Sequence, residues 1–324
     1  MLTVGLIGLG PEWEQRFRPA LAKLRHRIRV QGVYAAVANV ADQIAAEWKC
    51  EPATGMLALM QRKDVRAVLI LDAAWYGAVP AELACRAGKP AFLAGSLADW
   101  GTRSDRMLVG ANDGAPTLMP DFAHRYTPAT SRLKELLATR LGRPLAIALS
   151  LPENKQPDAV SSATAPVTSP LWQRSDALLA AIDWVCHLIG TAPVSVERLR
   201  SADGFDEARL VFQRPAAGGD SPTASICIGG KSRPTTDWRA EVGCLKGRAS
   251  VQGPDRIDWE DPDGGRSESL GEERSAVEVM LDHFSRRVVG GLIPAPTLDD
   301  LQRAVRLAGA ADRSLALGVL ESVS

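Results

Sequence analysis

The chain of 324 residues lacks several things at once, and each absence removes a class of function. Its five cysteines, Cys50, Cys85, Cys186, Cys227 and Cys244, are scattered with no Cys-x-x-Cys pair. That spacing excludes the usual zinc ribbons and disulfide frameworks and suits free thiols in a reducing compartment. No excess of either charge exists: 38 Lys and Arg balance 38 Asp and Glu, so nothing steers the chain toward nucleic acid or an anionic membrane surface. No apolar run approaches the ~20 residues that span a bilayer. The N-terminal apolar run has no basic segment before it and no small-residue cleavage pattern after it, so no signal peptide is expected and a cytoplasmic location is. No internal repeat is visible, and no metal-ligand spacing.

What remains is an ordinary globular composition, 46% hydrophobic and 23% charged, on a chain long enough for two domains. In the first 120 residues, strand and helix patterns alternate. Strands are expected at 2–7, 30–36, 65–71 and 90–93, with helices at 12–27, 41–48, 57–62 and 80–87. That alternation favours a parallel sheet covered by helices on both faces. After Pro120 the pattern changes. A helix is expected at 130–141, a strand at 144–151, a Pro- and Ser-rich loop at 152–170 and a helix at 176–189. Strand-like segments follow at 194–199, 208–213, 224–228, 238–242 and 249–252, and two helices, 276–288 and 298–319, finish the chain.

Several motifs lie in this frame. The opening strand breaks into Gly8-Leu9-Gly10-Pro11-Glu12-Trp13. A dinucleotide turn of the form GxGxxG uses its glycines for the turn, for close approach of a pyrophosphate and for helix–strand packing. Two glycines stand here, and Trp13 holds the third place. A carboxylate about 20 residues further on would hold the ribose; that place falls near Ala35, and its loss removes a contact worth ~1.5–3 kcal/mol, about ten- to a hundredfold in affinity. Asp72, Trp75 and Tyr76 follow the strand at 65–71, at the carboxyl end where ligands of doubly wound sheets bind. The aromatic pair there suits stacking on a ring or plugging an unused pocket.

Together these segments resemble the Gfo/Idh/MocA family of NAD(P)-dependent oxidoreductases. The resemblance is carried by the opening turn, by Ala87-Gly88-Lys89-Pro90, Asp121-Phe122-Ala123-His124-Arg125-Tyr126-Thr127-Pro128, Leu141-Gly142-Arg143-Pro144 and Pro294-Ala295-Pro296-Thr297-Leu298-Asp299-Asp300. It implies a Rossmann domain over 1–120 and, over 121–324, a second α/β domain with an open-faced, mostly antiparallel sheet through which a homo-oligomer forms. It implies NAD or NADP as cofactor, with Gly8, Leu9, Gly10, Pro11, Glu12, Asp72 and Trp75 on the cofactor side. A sugar-like ligand would meet Tyr76, Ser96, Arg125, Tyr126, Trp172 and Asp176.

The family's proton-handling residues are not where the resemblance puts them. Its lysine after the fifth strand falls on Gly95, within Ala94-Gly95-Ser96. Its histidine, four residues past an aspartate that matches Asp176, falls on Ala180; Asp183 matches a later structural aspartate. His187 lies seven residues beyond Ala180, roughly 10 Å along a helix, too far to replace it. The expectation is therefore an oxidoreductase scaffold that does not work by the usual route and uses NAD(P) weakly or differently. The competing expectations are an active enzyme on a sugar or cyclitol-type alcohol, drawing on Asp72, Tyr76, Ser96 and Asp176, and a binding or assembly protein that uses the open sheet.

Overall fold

The structure, a computed structural model, describes the chain apart from residues 11, 73–75, 110–115, 153–175, 202–204, 217, 230–237 and 324, and the side chains of 103 and 105–109. Two compact units emerge: residues 1–123 with 274–302, and residues 124–273 with 303–324.

In the first unit, β1 (Leu2–Ile7) leads through a π-helical turn (Trp13–Phe17) into α1 (Arg18–Lys23). There follow β2 (Ile28–Tyr34), α2 (Ala38–Trp48), β3 (Glu51–Pro52), α3 (Met56–Gln61), β4 (Ala67–Ile70), α4 (Val79–Arg86), β5 (Ala91–Leu93), α5 (Leu97–Val109) and β6 (Leu118–Pro120). The strands form one parallel sheet in the order β3-β2-β1-β4-β5-β6. This is the doubly wound order whose ligand crevice lies at the carboxyl ends of β1 and β4. Every residue of β4 and β5 is buried, which is why both read as continuous apolar runs rather than as alternation.

The second unit opens with α6 (Pro128–Leu136), extended by a π turn (Leu137–Leu141), and β7 (Pro144–Leu151). Thr127 caps α6, its hydroxyl accepting from the Thr130 amide. Next come α7 (Ala177–Ile189), β8 (Pro193–Arg200), β9 (Asp206–Phe212), β10 (Thr223–Ile228), β11 (Arg239–Cys244), β12 (Gly247–Gln252), β13 (Arg256–Asp261) and β14 (Gly264–Ser269). The chain then supplies α8 (Ala276–Val288) to the first unit, where Lys23 pairs with Glu278 at 2.8 Å. It ends with α9 (Leu298–Leu317) and β15 (Glu321–Ser322).

The second sheet has the order β14-β13-β12-β11-β7-β10-β9-β8-β15 and is antiparallel except where β7 meets β10. Alternate residues such as Ile147, Leu149, Ile226, Val242, Val251 and Trp259 are buried beneath α6 and α7. Among the described residues the opposite face is open, with Ala146, Ala148 and Ser150 of β7 exposed, the last two beside Glu241 and Arg239 of β11. The fold class expected from the sequence, a Rossmann sheet followed by a mostly antiparallel one, is the one observed.

Several local features differ from the sequence expectation, among them the short strands β3, β6 and β15. The helix expected at 12–27 opens as a π turn and stops at Lys23. The helix α5 and the hairpin β13–β14 have no counterpart in the pattern analysis. In β14, Gly-Gly-Arg-Ser-Glu-Ser offers no apolar residue at all, so pairing with β13 makes it a strand. The loop expected at 152–170 falls almost wholly outside the described residues.

Candidate functional site

The candidate groups of the first unit gather around the end of β1. Gly8 has φ +69° and donates its N–H to the Tyr34 carbonyl at the end of β2, 2.9 Å away. Asp72, just past β4, lies directly against both glycines. A Cβ on Gly8 would sit 2.6 Å from the Asp72 carbonyl oxygen; one on Gly10 would sit 2.8 Å from the Asp72 Cβ and 3.1 Å from Oδ2. Leu9 and Gly10 are half-buried. The Trp13 N–H donates to the Gly10 carbonyl at 3.0 Å and so closes the turn on itself.

The π turn answers the difficulty raised by Trp13 in the third glycine's place. With five residues in its hydrogen-bonded loop, the turn is wider than an α-helix. The buried indole of Trp13 packs on Trp48 of α2, centroids 6.0 Å apart, with the Arg25 guanidinium over the Trp48 ring. Glu12, at the head of that turn, is held by Arg16 at 2.6 Å, and Arg16 also reaches Asp121 at 3.0 Å. Burial, opposed by Arg16 and reinforced by Asp121, pushes the Glu12 carboxyl above its ordinary value. Tyr34 and Tyr76 face each other at 5.8 Å. Burial, then Tyr34 and Asp72, push the Tyr76 phenol up to about 12, so it is a proton donor and not a base near neutrality.

Gly95 is exposed with φ +97°, and nothing lies within 4 Å of an added Cβ. The position is open in space but set in a backbone conformation that a lysine resists. Ser96 beside it accepts from the Asp99 amide at 3.2 Å and so caps α5.

In the second unit the polar groups are buried and tied together. The Asp183 carboxylate on α7 is 2.7 Å from His124 Nε2 and receives Arg125 through both Nε (2.7 Å) and a terminal nitrogen (2.5 Å). Burial alone would raise its pKa; the bonds from Arg125 and His124 outweigh that and hold it well below the usual carboxylate range. Burial, then Arg125 and Lys134, push His187 down to about 3, which leaves a neutral imidazole. Burial, then Asp183, push the Cys186 thiol up to about 12, which leaves it an inert thiol.

Ala180 is buried in the same helix, its N–H bonded to the Asp176 carbonyl at 2.8 Å. Asp176 is the N-cap residue of α7 and is buried, but its side chain makes no capping bond there. Tyr126 is buried as well. Pro11, Trp75 and Trp172 lie outside the described residues. Among the described residues, no group of His, Cys, Asp and Glu is arranged to hold a metal ion, and no helix is long and apolar enough to cross a membrane.

Sequence reasoning singled out Asp72 and Glu12 but not Arg16, Asp121 or Tyr34. The i, i+4 spacing of Glu12 and Arg16 is a legible helical pair. The Asp121 contact, 105 residues away, has no local signal.

No protein-family model and no curated protein sequence matches the chain. Solved structures do. Aldose-aldose oxidoreductase from Caulobacter crescentus, complexed with glycerol, superposes with a TM-score of 0.77 at 16% identity over 99% of both chains. An oxidoreductase from Agrobacterium radiobacter, in complex with NAD+, L-tartaric acid and magnesium, gives 0.76 at 15% identity over 99% of this chain and 98% of that one. Levoglucosan dehydrogenase, in complex with NADH and levoglucosan, gives 0.75 at 18% identity over 99% of both. Identities this low speak for architecture rather than chemistry. Sheet order, end-to-end coverage and these neighbours together identify the chain as having the two-domain fold of the Gfo/Idh/MocA-type dehydrogenases.

Proposed function

We propose that this protein is a divergent Gfo/Idh/MocA-type oxidoreductase that holds a small sugar-like molecule, uses NAD or NADP weakly or in an altered way, and does not transfer hydride by the family's usual proton relay. One observation carries the proposal. The position that resemblance assigns to the lysine is Gly95, in a left-handed turn, and the position assigned to the histidine is the buried Ala180. Neither can donate or accept a proton, and positioned acid–base catalysis typically supplies about a hundred- to ten-thousandfold in rate.

The nearby titratable groups do not take over that work. Asp183 is saturated by Arg125 and His124, His187 is held neutral deep in acid, and Ser96 caps a helix. In this reading Gly8, Leu9, Gly10, Glu12 and Asp72 form whatever cofactor contact survives. Tyr76 and Ser96 in the first unit, and Arg125, Tyr126 and Asp176 in the second, are the candidate ligand residues. Pro11, Trp75 and Trp172 join these sets on sequence grounds alone. A sugar-like ligand is supported by the levoglucosan and glycerol bound to the structural neighbours.

Calorimetric titration of the full chain with NAD(H) and NADP(H), beside an assay for oxidation of sugars and cyclitols, tests the proposal. Weak or absent dinucleotide binding without turnover is expected. Tight binding with turnover would overturn it and favour an active, rearranged site built on Asp72, Tyr76, Ser96 and Asp176.

The open face of the second sheet supports a homo-oligomer. Its small central residues, Ala146, Ala148 and Ser150, allow close approach, and flanking charges such as Arg239 and Glu241 would set the register. Light scattering on the eluting peak of a sizing column should report more than one chain per particle; a strict monomer would remove this part of the proposal.

A further inference from the structure

The first unit carries a groove that none of the candidate site residues lines. Its volume is about 460 Å³, and its walls come from the approach to β6 and from the segment that joins α8 to α9. That volume lies within the ~300–1,000 Å³ of small-molecule pockets. Pro116, Leu118, Ile293 and Pro294 give it an apolar lining, and Leu292, also in the wall, is 94% exposed. The sheet is parallel, so the approach to β6 lies at the opposite end of the strands from the glycine turn that follows β1. The groove is therefore separate from the candidate cofactor residues, and the inference drawn from it does not rest on the proposed function.

Two sets of unused polar groups belong to its walls. The first is backbone. β6 is an edge strand that pairs with β5 alone. The Thr117 carbonyl accepts from the Ala91 N–H, and the Asp121 N–H donates to the Leu93 carbonyl, both at 2.9 Å. Alternation then turns the N–H and C=O of Leu118 to the free edge. In the other wall, the N–H groups of Leu292, Ile293 and Ala295 meet no backbone carbonyl among the described residues. Pro294 and Pro296 hold this segment out of a helix. A free strand edge is a template on which another extended backbone can pair.

The second set is a pair of opposite charges. Arg287, in the last turn of α8, and Asp299, in the first turn of α9, both line the groove and are exposed. Among the described residues, neither side chain has an ion-pair or hydrogen-bond partner. Each suits its own helix dipole, which leaves its outer donors or acceptors open. A simple anion would meet Arg287 but also Asp299, and a simple cation the reverse. A zwitterion with an apolar body answers both charges and the lining.

We propose that this groove binds a short apolar peptide with free termini, about a dipeptide in length and so at most ~7 Å along its backbone. The peptide backbone pairs with Leu118 at the β6 edge, and its side chains lie on Pro116, Ile293 and Pro294. Its carboxylate meets Arg287 and its ammonium meets Asp299.

The test is calorimetric titration of the full chain with leucyl-leucine, N-acetyl-leucyl-leucine and leucyl-leucinamide, repeated on R287Q and D299N. Leucyl-leucine should bind the unaltered chain, and blocking either terminus should weaken it about tenfold, the worth of one charge-assisted hydrogen bond. R287Q should bind the amide as well as the free acid, and D299N should bind the acetylated form as well as the free amine. Hydrogen exchange supplies a second measurement that needs no variant. Leucyl-leucine should slow exchange over 116–119 and 292–297 and leave 5–13 unchanged.

No binding at millimolar leucyl-leucine, equal binding of blocked and free forms, or protection confined to other segments would each overturn the inference. If either variant does not fold, the blocked dipeptides and the exchange pattern decide. None of these readouts involves NADH or polyol oxidation, so the failure of either proposal leaves the other standing.

Discussion

The glycine turn of the first unit and the His124–Arg125–Asp183 cluster of the second handle charge in opposite ways. In the cluster, a carboxylate about 2% exposed is met by a guanidinium in two-point contact and by an imidazole, so every strong group has a partner at hydrogen-bond distance. At the turn the ratio is reversed: one guanidinium, that of Arg16, is shared between the carboxylates of Glu12 and Asp121. Matched burial of charge makes a structural lock. One cation divided between two carboxylates does not offset burial, and the Glu12 carboxyl stays above its ordinary value. The same residue types therefore carry different meanings, and their partners decide which.

Substitutions should separate the two. The largest effect is expected for Asp183→Ala, which removes the buried carboxylate that Arg125 and His124 share and should cost about 3–5 kcal/mol in urea unfolding. A loss below about 1 kcal/mol would erase the contrast between the two sites.

The next effect is with pH. The native His187 imidazole stays neutral down to about 3, whereas in the unfolded chain it takes a proton below its ordinary 6.5. Unfolding therefore absorbs a proton between those values. Stability should fall as the pH drops through that window, by at most ~1.4 kcal/mol per unit. Asp183, whose native pKa is depressed, adds a loss of the same sign once the pH falls below the unfolded value near 4. Urea midpoints measured against pH should be flatter for His187→Gln than for the unaltered chain above pH ~4. Superimposable curves would show that the burial of His187 carries no stability.

Smaller effects are expected in the first unit. Gly95→Lys puts an ammonium at the position that resemblance assigns to the family's lysine, but in a left-handed backbone. It should cost about 1–2 kcal/mol in a thermal melt and restore no polyol oxidation, since Ala180 is unchanged. Ser96→Ala removes the α5 cap and should cost about 1 kcal/mol in a thermal melt. An unchanged melt would show that the Ser96 cap carries no stability.

Legibility tracked how local the cause of each element is. The strand at 144–151 and the helix ending at Gly190 were visible because alternation and a left-handed cap are written in consecutive residues. The 256–269 hairpin was not, because β14 borrows its regularity from the partner strand. Glu12 through Leu24 shows a helical period, yet the π turn comes from accommodating Trp13 against Trp48, 35 residues further on. At the site, Gly95 and Ala180, where resemblance alone puts a lysine and a histidine, could be read directly. The contact of Asp72 with two glycines some 60 residues earlier could not.

What the sequence determined by itself was the architecture and the identity of the side chains at positions such as Gly95 and Ala180. Periodicity and glycine placement are short-range properties, and a side chain that is not encoded cannot appear. The tertiary structure decided which retained groups are available. It paired Asp183 with Arg125 and His124, spent Ser96 on a helix end, and set Asp72 against Gly10. Charge acts through distance and solvent access, and both exist only once strands far apart in the chain lie side by side.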